Sequence, residues 1–107
     1  MQPELYKSKF LELAEKYHTK SVHADWDGKK AEAQKYGRLC ADEYLNALNH
    51  DEFEPEYKMS LLWQAILQHR EVRRHKIAVD LAKYAMSVID ANPDLEKHRA
   101  MFATQLM

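Results

Sequence analysis

Through most of this chain, apolar residues recur every three or four positions, the spacing that gathers them on one side of an α-helix. A first helix is expected over about Pro3 to His23, where Tyr6, Phe10, Leu13 and Tyr17 fall at i, i+4, i+7 and i+11. Leu11 and Ala14 widen that face. "HADWDGKK" breaks the pattern, with Asp25 or Asp27 suited to cap a second helix over about Lys29 to Asn49. Its stripe is Ala33, Tyr36, Cys40, Tyr44 and Ala47, with Leu48 alongside and Gly37 adjacent, where another helix can approach closely. "NHDEFEPE" is the next break: Asp51 and Glu54 have capping-box spacing, and Pro55 suits a first helical turn.

A third helix from Pro55 carries Leu62, Ala65, Ile66 and His69 on one side, and a fourth carries Ala78, Leu81, Ala82, Ala85 and Val88. "ANPD" ends the fourth, with Asn92 as a cap and Pro93 opening a short last helix whose Leu95, Phe102 and Leu106 can face inward. No glycine or proline separates the third helix from the fourth, but two arguments place a tight turn between His69 and His75. At about 100° per residue, Leu62 and Leu81 differ in phase by about 100°, so one straight helix would carry two misaligned stripes. Such a helix from Pro55 to Asp90 would also run about 54 Å, against a radius of gyration near 13 Å, roughly, for a domain of this size. The expected fold is therefore all-α: four main helices plus a short C-terminal helix, packed as antiparallel hairpins in a bundle or small array. With 107 residues it is read as a single helical domain, 1–107.

"AVDLAKYAMSVIDANPDL" is similar to the second helix of a tetratricopeptide repeat. Ala78 and Ala85, with Ala82 between them, match that motif's small-residue spacing. "LLWQAILQHR" lacks the glycine of the repeat's first helix, and Pro93 falls three residues beyond the expected proline. What this resemblance implies is shared hairpin packing, and it brings no binding residues with it. No second copy follows at the repeat's period of about 34 residues.

Charge changes the picture in one place. The totals nearly balance, at 16 Lys+Arg against 17 Asp+Glu, which speaks against both a nucleic-acid-coating protein and an acidic DNA mimic. Residues 31–56 nevertheless hold two basic and seven acidic residues, while residues 57–76 hold five basic and one acidic. "QHREVRRHK", residues 68–76, concentrates Arg70, Arg73, Arg74 and Lys76 with His69 and His75. One reading is local: positive charge at the carboxyl end of the third helix is favoured by about 0.3–1 kcal/mol per charge, and the aliphatic stems cover apolar surface. A second is an anchor for an acidic protein surface, because guanidinium forks match carboxylates. That surface belongs to another protein or to Asp51, Glu52, Glu54 and Glu56 of a second copy. A third is nucleic acid, as in helical modules that lay arginines on phosphate; against it, beyond Lys76 the fourth helix adds only Lys83, opposed by Asp80.

Catalytic signals are weak. Glu15 and His18 have Glu-x-x-His spacing, but a carboxylate-bridged metal pair needs two such motifs and two further carboxylates; Glu71 with His75 and Asp94 with His98 are separated by four. Asp25, Asp27 and Gly28 suggest the middle of a calcium loop, but His23 and Gln34 occupy its decisive first and twelfth positions. Cys40 lies on an apolar stripe, where a thiol is inert. No metal, cofactor or catalytic residue is assigned. The only cysteine, a charged N-terminal stretch and the lack of an apolar run near 20 residues, roughly the length of a membrane span, lead to the expectation of a cytoplasmic protein away from membranes. Aromatic and arginine side chains dominate interface hot spots. Trp63, Arg70, Arg73, Arg74 and Lys76 are accordingly the expected partner-binding residues of a non-catalytic interaction module, an adaptor or inhibitor.

Overall fold

The computed structural model describes residues 8–107, all helix or short connection. Four long helices, α1 (Lys9–Trp26), α2 (Lys30–His50), α3 (Pro55–Glu71) and α4 (His75–Ala91), are followed by a 3-10 segment (Pro93–His98), the short α5 (Arg99–Ala103) and a final 3-10 turn (Thr104–Leu106). The all-α expectation holds, and so does the turn between residues 69 and 75. Pro3 and Tyr6, expected on the first helix, lie outside the described residues. Contacts gather in two compact units, Met1–Glu52 and Phe53–Met107, which contain one hairpin each.

In the first unit α1 packs on α2. Ser8 caps α1: its hydroxyl oxygen accepts from the amides of Phe10 and Leu11 at 3.2 and 3.3 Å while its hydrogen goes to the Asp51 carboxylate. Because Asp51 closes α2, this serine ties the outer ends of the hairpin together. The fully enclosed side chains are small: Ala14, Cys40, Ala41 and Ala47. Phe10, Leu13, Tyr17, Tyr36, Leu39 and Tyr44 are only half-buried. Two helices seal completely only along their line of contact, where small residues permit close approach, and larger side chains flank that line.

In the second unit a third layer completes the core. Met59, Leu62, Ala65, Ile66 and His69 of α3 meet Ala78, Ala82, Ala85 and Ile89 of α4, and Leu95 and Phe102 close over them. Leu106, expected inward, is 38% exposed in the final 3-10 turn. Phe102 meets Trp63 edge to face at 5.8 Å. Exposed polar ties hold the last segment in place. Glu56 near the start of α3 accepts from Lys97 at 3.0 Å and contacts His98 at 2.9 Å, and Arg99 bridges Glu96 and Asp90 at 2.6 Å each.

Both hairpins turn the same way. After α1, Asp27 is the C-cap and Gly28 takes φ 77°; its amide bonds Asp25 O at 3.0 Å, and the Lys29 amide bonds Ala24 O at 2.8 Å. After α3, Val72 is the C-cap and Arg73 takes φ 67°; its amide bonds Arg70 O at 3.0 Å, and the Arg74 amide bonds His69 O at 2.8 Å. Each is a Schellman motif, with the left-handed residue just past the C-cap. The next residue already opens the following helix, so Lys29 and Arg74 stand as N-caps whose side chains make no capping hydrogen bond. This corrects the expected aspartate cap on α2, because Asp27 is used to end α1. The expected Asp51–Glu54 box is not made either. Pro55 holds Glu54 extended, at ψ 152°, as the N-cap of α3, while Asp51 serves α2 and Ser8. The hairpins also match in the spacing of small residues. Ala33, Gly37 and Cys40 of α2 lie 45 positions before Ala78, Ala82 and Ala85 of α4, as Gly28 lies before Arg73.

Candidate interaction surface

The residues expected to bind a partner all belong to the second unit, but they do not have equal roles. Trp63 is half-buried against Phe102. Arg70, in the last turn of α3, donates from Nε to Gln105 Oε1 at 2.5 Å and from Nη2 to the Gln105 carbonyl at 2.8 Å; its Nη1 lies 3.4 Å from His75 Nδ1. It therefore fastens the final turn of the chain to the hairpin. Trp63 and Arg70 serve the fold first.

Arg73, Arg74, His75 and Lys76 occupy the corner itself. Arg73, His75 and Lys76 are exposed, and Arg74 is half-buried. Lys76 reaches Asp80 at 3.2 Å, one helical turn on, with 89% of its own side chain exposed. Such a pair contributes about 0.3–0.5 kcal/mol and yields easily to competitors. α4 carries no acidic residue in its first turn, whereas α1, α2 and α3 carry Glu12, Glu32 and Glu56 there.

At the opposite end of this hairpin several charges are paired. A hollow of about 360 Å³ is lined by Glu54, Glu56 and Asp94 among apolar and amide groups, and Lys97 and His98 engage its Glu56. Hydrogen bonds from His98 and Lys97 hold the Glu56 carboxyl below its ordinary range, and that from Arg99 does the same for Glu96.

The metal candidates disperse. The turn puts Glu71 and His75 on different helices, His98 is engaged by Glu56, and His18 is exposed. Among the described residues no group of three or more His, Cys, Asp or Glu is placed to hold a metal ion, and no helix is long and apolar enough to cross a membrane. Cys40 is buried.

Trp26 is not among the residues expected to bind a partner. It ends α1, is 76% exposed, and has the His23 ring 5.4 Å away with Lys29 and Lys30 following. The signal was there in its phase: nine residues from Tyr17 is about 180° around the helix, so Trp26 points away from the packed face. No protein-family model matches the chain, and no curated protein or solved structure matches it.

Proposed function

We propose that this protein is a non-catalytic helical interaction module, an adaptor or an inhibitor, that holds an acidic partner surface at its Arg73–Lys76 corner. The carrying observation is that basic residues continue across the turn into α4. Charge at the end of α3 is favoured by that helix's dipole, but the same charge at the start of α4 is disfavoured by about as much. The two effects offset, so helix-end electrostatics do not account for the cluster. A carboxylate placed between Arg73, Arg74 and Lys76 would be favoured by the side chains and by the α4 dipole together. A second copy presenting Glu52 and Glu54 offers the same chemistry, so a homodimer falls within this reading. The setting proposed is cytoplasmic, in keeping with a single, buried cysteine.

The rival is a small nucleic-acid-binding protein using the same 70–76 segment. It is favoured by the basic start of α4, since phosphate also suits a helix N-terminus. Replacing Arg73, Arg74 and Lys76 together with glutamate leaves Arg70 and its tie to Gln105 intact. The expected outcome is loss of partner capture with an unchanged helical circular-dichroism spectrum. Retention of every partner would refute the proposal.

A further inference from the structure

We infer that Arg73 is the anchor of this corner, retained against its own backbone to contact carboxylates of a partner; this rests on the function proposed above. The matched hairpins supply the comparison. At the left-handed position past α1 the chain has Gly28, the residue such a site favours, and at the equivalent position past α3 it has Arg73. An L-residue with a Cβ is disfavoured there, and it persists where its surroundings compensate. Among the described residues the turn's backbone hydrogen bonds support the conformation, but no contact of the Arg73 side chain does. Arg73 is exposed, and among the described residues its side chain makes no hydrogen bond or ion pair. The motif itself needs only the Arg73 backbone, whose amide bonds Arg70 O, and glycine would serve that equally. What glycine lacks is the guanidinium.

The geometry shows where that group is offered. Arg73 stands exposed in the turn between the end of α3 and the start of α4, and Arg74, His75 and Lys76 follow directly. Carboxylate is favoured over a phosphate backbone because the basic surface is short. Beyond Lys76, α4 adds Asp80 and then Lys83, while a nucleic-acid track needs charge along its length. The partner is thus an acidic polypeptide segment that meets the planar guanidinium fork end-on.

The proposal separates stability from binding with opposite signs. Arg73→Gly should raise the folding equilibrium constant about 5- to 30-fold, read by urea denaturation, while weakening binding of a fluorescein-labelled glutamate decapeptide. Arg73→Lys, which keeps charge and loses the fork, should also weaken peptide binding, by more than Lys35→Gln, a charge removed in the other unit. Arg73→Gly that leaves peptide binding unchanged while the triple glutamate variant abolishes it would overturn the anchor role and spare the proposed function. A wild-type chain that ignores the peptide would overturn both. Tighter binding to duplex DNA than to the peptide at moderate salt would overturn the carboxylate assignment in favour of phosphate.

Discussion

Gly28 and Arg73 share one left-handed backbone conformation and differ in the side chain that has to adopt it. The two residues do the same job at the same place in two hairpins, yet only one is the residue that conformation favours. A Cβ built at Gly28 meets nothing within 4 Å, so substitution there is a purely conformational experiment. Gly28→Ala should destabilise the chain by about 1–2 kcal/mol, the cost of placing an L-residue in the left-handed region. Urea denaturation followed by circular dichroism checks it, and an unchanged midpoint would mean that the turn relaxes to another form. The two tryptophans teach a related lesson. Helical phase marks Trp26 as outward, and it is exposed; Trp63 also looked like a spare aromatic until Phe102, 39 positions later in the chain, was brought against it. Phase on one helix says which way a residue points, and it leaves open what arrives on that side.

At the scale of elements, the short segment after α4 owes its place to tertiary contacts. α5 has five residues, too few for a helix to stand alone. Phe102 and Leu95 bury it, while Glu56, Arg70 and Asp90 hold it by polar ties. Glu56 makes that attachment sensitive to acid. Its carboxyl lies below the ordinary 4.5 in the folded chain, so its contribution is fully present above that pH. It is lost as pH falls through the lowered value, because the folded state must then take up a proton that the unfolded state has already bound. Glu56→Gln should therefore lower the melting temperature near neutrality, and the gap to wild type should close on acidification below about pH 4. A gap that stays constant with pH would show that the tie contributes nothing as a charge. The two interhelical turns are elements of another kind. The second was legible without any glycine, from the mismatch of two apolar stripes, because a helix buries only the face that its phase allows. Their shared Schellman geometry was not legible, since Arg73 gives no sign in sequence of a positive φ.

For the whole molecule, near-neutral charge limits what the basic corner can do at long range. With a net charge of −1 there is little field to steer a polyanion toward the corner. Duplex DNA should bind weakly. If Arg73, Arg74 and Lys76 are all that touches phosphate, the logarithm of the binding constant should fall against the logarithm of salt with a slope near −3, or about 0.9 per phosphate. Fluorescence titration at several salt concentrations measures it, and a much steeper slope would point to a basic track that the corner alone does not supply. By itself the sequence determined the four long helices, their apolar faces, both hairpins and the charged corner, because each follows from local periodicity or from composition. Tertiary structure alone decided the identical turns 45 positions apart, the layer that Leu95 and Phe102 add to the second unit, and which candidates stay exposed. Helical spacing fixes a residue's direction, but exposure depends on segments far away in the chain: Trp63 and Arg70 were taken up by the last turns, while Arg73 stayed at the apex of a bend, outside the reach of any packed face.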